Sequence, residues 1–239
     1  MRQTTVPSDT IARVRAIERV SPWASIVRLD LGGRGFPFSA GQAVAVGLLT
    51  QEIRKPYSIA CSPGQARATG CVELLIGAVA PGRLGAHLTP LRPGSVVGVR
   101  GPFGRFGLPP RLAARSLLFV AGGTGIAPLR SMLSEALDRA APPAIDLVYS
   151  ARTPADLAFD AEFRRLHRAG RIRYWPTVTR GAGRHWKGRQ RRIDTTLLSS
   201  ALRPRPTCFV CGPASFVTGV PGMLRALGVR AGSVRREEY

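Results

Sequence analysis

A chain of 239 residues has room for one large domain or two ordinary ones, and 44% hydrophobic against 21% charged residues is a globular balance that excludes a disordered chain. No apolar run approaches the roughly 20 residues that a membrane-spanning helix needs, and residues 1–8 lack the apolar core of a signal peptide, so the expectation is a cytoplasmic protein with no membrane partner. The formal charge of +21 is nearly all arginine, with Lys55 and Lys187 as the lysines. It fits an acidic partner or an arginine-rich solvated surface, but lacks the single basic block interleaved with aromatics that a nucleic-acid reader shows.

In chain order, the first half reads as short strands over residues 11–17, 25–31, 43–49, 57–60, 71–76 and 95–100. Turn chemistry separates them at Gly32-Gly33, Pro37, Gly41, Pro63-Gly64, Pro81-Gly82 and Pro93-Gly94, and residues 83–91 read as a short helix. Closely spaced strands with little helix predict a small antiparallel β-barrel. Beyond Leu108 the pattern changes. Residues 116–121, 144–150, 172–179 and 207–211 read as strands, alternating with helices over 129–140, 159–169 and 195–201. That alternation predicts a parallel sheet covered by helices, hence a C-terminal α/β nucleotide-binding domain. The reading is therefore two domains, residues 1–111 and 112–239.

The four cysteines supply no metal or disulfide framework. Cys208 and Cys211 lie three apart on a predicted strand and so point to opposite faces, while Cys61 and Cys71 have no close partner. His87, His167 and His185 are scattered and form no ligand set.

Chemistry concentrates where the strand at 116–121 runs into Gly122-Gly123-Thr124-Gly125, with Pro128 at the start of a helix. Glycines permit a sharp turn and let phosphates approach the backbone, and the helix behind presents free N–H groups to an anion. The string is not a Walker A loop, since no Gly-Lys-Ser/Thr follows. It also departs from G-x-G-x-x-G, because Pro128 stands at the third glycine position.

Gly123-Thr124-Gly125-Ile126-Ala127-Pro128, with Cys211-Gly212-Pro213 far downstream, resembles the nucleotide-binding domain of the ferredoxin–NADP reductase family. The first half carries the matching motifs in order. Arg54-Lys55-Pro56-Tyr57-Ser58 is similar to the family's Arg-x-Tyr-Ser segment, Phe38–Gln42 to its Pro-Gly-Gln turn, and Gly101–Gly104 to its Gly-Pro-Phe-Gly turn. The resemblance implies FAD on the barrel and NADP on the α/β domain, with nicotinamide brought against the flavin. Tyr57 then packs along the flavin and Ser58 donates a hydrogen bond near its N5, while Gly82, Leu84 and Gly85 hold the FAD pyrophosphate through backbone N–H groups. Gly123, Thr124 and Gly125 take the dinucleotide, with Gly212 and Pro213 beside them, and Cys211 faces the nicotinamide edge. Glu237 lies near the reaction and Tyr239 covers the flavin.

Two departures stand out. The family arginine position is Lys55 here, with Arg54 shifted by one and so onto the other face of a strand. Lys55 brings a point charge without arginine's bidentate fork, and Gly85 replaces a hydroxyl donor. Arg152 and Arg180, at the ends of the second and third strands of the α/β domain, suit the 2′-phosphate of NADPH, with no acid at the same spot and Asp156 four residues on. The basic run 180–192 suits either that phosphate or an acidic acceptor, and as a solvated loop needs neither. The function implied is hydride transfer from NADPH to FAD and onward to an acidic electron-transfer protein, ferredoxin or flavodoxin. The alternatives are an NADH-dependent oxygenase component, a flavin or ferric reductase, and a non-catalytic basic binding protein on the same fold.

Overall fold

The computed structural model describes residues 8–32, 36–50, 52–80, 83–84, 88, 91–109, 116–181 and 183–239. They fall into two units, Met1–Leu108 with Arg130–Glu135, and Pro109–Leu129 with Ala136–Tyr239. The expected boundary at 111/112 lies outside the described residues.

Period-two alternation builds the first unit. Val72, Leu74 and Ile76, with Val97 and Val99, point to one face and are buried with Val14, Val27, Leu29, Val44 and Val46. The strands are β1 (Ser8–Ser21), β2 (Ala24–Asp30), β3 (Ala43–Leu48), β4 (Lys55–Ser58), β5 (Cys71–Ala80), β6 (Arg83–Leu84) and β7 (Val96–Phe103). They run antiparallel in the order β4-β3-β7-β1-β2-β5-β6. The far ends meet: Ile59, just past β4, bridges to Leu74 of β5, and the Ala60 N–H donates to Glu73 O at 2.8 Å. The sheet thus closes into the expected antiparallel barrel around one core.

Two local expectations fail in this unit. Pro63-Gly64 does not merely turn but opens helix α1 (Pro63–Thr69), capped by a reciprocal Ser62–Gln65 box and ended by Gly70 at φ +71°. Arg83–Leu84, read as the start of a helix, pairs with β5 as β6. A two-residue strand has too little alternation to announce itself. Most of the remainder of that expected helix lies outside the described residues.

The second unit is a six-stranded parallel sheet, order β11-β10-β9-β8-β12-β13, among the described residues. Its elements are β8 (Ser116–Gly122), α2 (Ile126–Leu137), β9 (Ala144–Ala151), α3 (Asp160–Arg168), β10 (Arg173–Val178), β11 (Arg189–Gln190), α4 (Thr195–Ala201), β12 (Thr207–Gly212), α5 (Ala214–Ala226) and β13 (Val234–Glu238). All seven residues of β8 are buried, as befits a central strand covered on both faces. Asp146 on β9 is 1% exposed, and its carboxylate accepts from Arg173 Nε, from Arg203 Nε at 2.7 Å and from Trp175 Nε1 at 3.2 Å. Cys208 packs into the cluster with Leu118, Val120 and Val210, which leaves Cys211 on the opposite face of β12.

The unforeseen helix α5 contains Pro221, which has no N–H for the carbonyl of Val217 one turn back. That oxygen accepts instead from Arg236 Nη1 of β13 at 3.4 Å. Its apolar face, Val217, Val220 and Leu224, carries helical spacing that the internal proline and glycines disguise. The tail 235–239, whose default reading is frayed, pairs instead with β12 through β13.

Candidate functional site

Each unit gathers one group of the residues singled out from sequence. In the first unit the motifs are stitched by Gln42. Its backbone O accepts from the Ile59 N–H at 2.9 Å, its Oε1 from the Ser39 N–H at 2.8 Å, and its Nε2 donates to Gly104 O at 3.4 Å. Gly41 sits at φ +96°, where a Cβ would lie 2.2 Å from Phe106 O, so no other residue fits that turn. The Phe38–Gln42 turn, the end of β4 and the Gly101–Gly104 turn are therefore one construction.

Tyr57 pairs with Val44 and Ser58 with Ala43 across β3 and β4. Tyr57 packs half-buried on the barrel core, and burial pushes its phenol up to about 12. The structure separates the two cations in front of it. Arg54 lies against Gly98, whose Cβ would meet its Nη2 at 2.9 Å, and pairs with Asp9. Arg100 and Arg54 together hold the Asp9 carboxyl below the usual carboxylate range. Lys55, by contrast, is exposed and has no carboxylate partner among the described residues, and Pro56 is exposed beside it. Of the residues expected at the FAD pyrophosphate, Leu84 has its backbone in β6, while Gly82 and Gly85 lie outside the described residues.

In the second unit the glycine loop joins β8 to α2 through a 3-10 turn, Gly123–Gly125. Each glycine is forced by a neighbour. A Cβ on Gly122 would press on the Phe216 ring at 3.1 Å, and one on Gly125 would meet Cys211 O at 2.4 Å and Gly212 N at 2.8 Å. On Gly212 a Cβ would come within 2.7 Å of Phe216 Cδ1, so the Cys211-Gly212-Pro213 corner and the loop pack as one piece. Gly123 stands at φ +56°, in the left-handed region.

Two tyrosine hydroxyls hold this loop. Tyr239 donates to Gly122 O at 3.0 Å, and Tyr149 donates to Gly123 O at 3.1 Å. Tyr239 is exposed overall, but partial burial of its hydroxyl raises the phenol above the ordinary value, against a lowering influence of the neighbouring Thr124 and Gly125 groups. The Thr124 and Gly125 amides lie in a glycine turn that opens helix α2, a concave anion cradle that fits a phosphate oxygen.

Next to the loop, Cys211 faces Glu237 across β12 and β13. Cys211 is 1% exposed, and burial, with the adjoining Glu237 charge, pushes its thiol well above the ordinary range. Burial also raises Glu237, to about 7. At the ends of β9 and β10, the Arg180 N–H donates to Arg152 O at 2.7 Å, which sets two exposed arginines side by side. Asp156 is engaged elsewhere: its Oδ2 accepts from the Thr153 N–H at 3.0 Å and from Oγ1 at 2.8 Å, capping a short turn. In the basic run, Trp186 Nε1 donates to Arg189 O at 3.2 Å and Arg189 pairs with Asp194, whereas Arg184, His185 and Lys187 are exposed. Sequence reasoning missed Tyr149. A tyrosine near the end of a mostly buried strand was the available signal, since a buried hydroxyl needs a partner.

Two family models match the chain. Residues 11–107 match the oxidoreductase FAD-binding domain family, and residues 119–221 match the oxidoreductase NAD-binding domain family. Ferredoxin–NADP reductase B of Sorangium cellulosum is 35% identical over 95% of this chain and 96% of its own length. Reductase component 2 of the Comamonas terephthalate 1,2-dioxygenase is 34% identical over 61% of this chain, which spans 42% of that protein. Among solved structures, a ferredoxin NADP+ reductase from Neisseria gonorrhoeae with bound FAD and NADP superposes with a TM-score of 0.81 at 20% identity, covering 96% of this chain and 98% of that one. Among the described residues no helix is long and apolar enough to cross a membrane. The chain belongs to the ferredoxin–NADP reductase-like family of NAD(P)H-dependent flavoprotein reductases, whose cofactors are FAD and NAD(P).

Proposed function

We propose that this reductase takes hydride from NADPH in preference to NADH and delivers electrons to an acidic one-electron carrier protein, a ferredoxin or flavodoxin, in the cytoplasm. The observation that carries the NADPH assignment is the Arg152–Arg180 pair. Two guanidinium groups at the ends of adjacent parallel strands offer the charge and the forked donors that a 2′-phosphate needs. Neither has a carboxylate partner among the described residues, and Asp156 is spent on Thr153.

The chemistry that FAD would supply, when bound, is acceptance of a hydride and release of single electrons. The protein's residues bind, orient and shield. Thr124 and Gly125 amides take the dinucleotide phosphates, while Gly212 and Pro213 keep the corner clear for the chain to pass. Buried, protonated Cys211 offers an uncharged edge for the nicotinamide, and Glu237 holds or releases a proton near neutral pH. Tyr57 supplies an aromatic face to the flavin, Ser58 a hydroxyl donor, and Tyr239 a ring that moves aside. With Arg54 turned onto Asp9, Lys55 is the cation of this segment left for the FAD phosphates. The acidic carrier is supported by the +21 charge and by the kind of protein that the Sorangium relative is named for. The Comamonas relative favours the second reading, a reductase component of an oxygenase.

Steady-state kinetics of Arg152→Ala and Arg180→Ala with both nucleotides test the assignment. Each variant is expected to lose about ten- to a hundredfold in kcat/KM for NADPH, as befits a charge-assisted hydrogen bond, and little for NADH. Equal losses for both nucleotides, or a wild type that prefers NADH, refute it.

A further inference from the structure

We infer that Tyr149 is a positioning residue for the dinucleotide pyrophosphate: its hydroxyl, buried beneath the glycine loop, fixes the Gly123–Thr124 peptide so that the Thr124 N–H points into the phosphate cradle. The inference rests on the assignment of a nicotinamide dinucleotide to this unit.

The hydroxyl donates its proton to Gly123 O at 3.1 Å. The ring is fully buried and stands edge-on to Phe163, with centroids 6.4 Å apart and planes at 89°, so the donor cannot swing away. In a trans peptide the carbonyl and the next N–H point in opposite directions. Holding Gly123 O against Tyr149 therefore aims the Thr124 N–H to the far side of the plane, away from β9. Gly123 needs such an anchor, because glycine at φ +56° also populates other backbone regions freely. The helix behind helps: the Ile126 N–H reaches Gly123 O and Thr124 O. Among the described residues, however, it is the tyrosine that ties the peptide to β9. Burial drives its phenol far above any physiological pH, so it remains a donor throughout.

The test is calorimetric titration of wild type and Tyr149→Phe with two probes. NADP+ carries the pyrophosphate, and adenosine 2′-phosphate lacks it while retaining the group that Arg152 and Arg180 take. Tyr149→Phe is expected to weaken NADP+ about tenfold, the reach of one ordinary hydrogen bond. Adenosine 2′-phosphate is expected to bind the variant as it binds the wild type, which also shows that the variant is folded. Unchanged NADP+ affinity overturns the inference, and so does an equal loss for both probes, since that marks a general disturbance of the unit. A wild type that binds neither probe instead refutes the dinucleotide assignment itself.

Discussion

Replacing Glu237 by glutamine should abolish a pH dependence of stability that the wild type carries. Burial disfavours the carboxylate and raises its pKa from 4.5 to about 7, so the folded chain holds this proton more tightly than the unfolded chain does. The stability it contributes is fully present below pH 4.5 and is lost as the pH rises through about 7. A shift of that size corresponds to at most about 3 kcal/mol at roughly 1.4 kcal/mol per decade. Glu237 lies on an edge strand and keeps part of its surface in water, which reduces the expected effect to about 1 kcal/mol. For a unit of roughly 100 to 150 residues that is about 4 °C in Tm. Thermal melts of wild type and Glu237→Gln, taken from pH 5 to pH 8.5, should coincide at the acid end and separate in the variant's favour at the basic end. Taking the difference removes the contributions of all other groups that the two proteins share. A variant that melts in parallel with the wild type, or below it at every pH, refutes the burial argument.

Two further outcomes follow from packing. Asp146→Asn leaves Arg173 and Arg203 without their shared counter-charge; both keep about a third of their surface in water, so the loss of the charge-assisted hydrogen bonds costs about 2 kcal/mol. Urea unfolding should show this loss with FAD content unchanged, and a loss under about 1 kcal/mol would mean the carboxylate is replaceable. Gly125→Ala puts a Cβ 2.4 Å from Cys211 O, so the loop must move. NADP+ affinity should fall at least about tenfold, as loss of one or more phosphate hydrogen bonds requires, and retention of wild-type affinity contradicts the cradle.

Much of this was legible because some strings carry their own physics. The run from Leu117 to Pro128 announces a buried strand, a tight turn and a helix start, and all three are present. Alternation exposed the barrel strands, and helical spacing exposed α2, α3 and α4. What escaped has equally physical reasons. β13 reads Val-Arg-Arg-Glu-Glu, with no apolar alternation, because an edge strand can be held by backbone hydrogen bonds alone. α1 was hidden behind Pro63-Gly64, although Ser62 and Gln65 stand at capping-box spacing. The different engagements of Arg54 and Lys55 could not be read either. They depend on Asp9, 45 residues before Arg54, and on the bare backbone of Gly98. Tyr149 and Gly123 are 26 residues apart, a separation that no local pattern encodes.

The strands that end the parallel sheet bear on how the protein behaves in a crowded solution. An open sheet margin is a row of unused donors and acceptors, a template on which another chain can crystallise into cross-chain pairing. Here one margin, β11, is only two residues long, and the other, β13, displays Arg235, Arg236 and Glu238. An incoming strand finds too little length on the first side. On the second it meets alternating charge that must be stripped of water before any backbone bond forms. The same tail that brings Glu237 and Tyr239 to the cradle thus also guards the margin of the sheet.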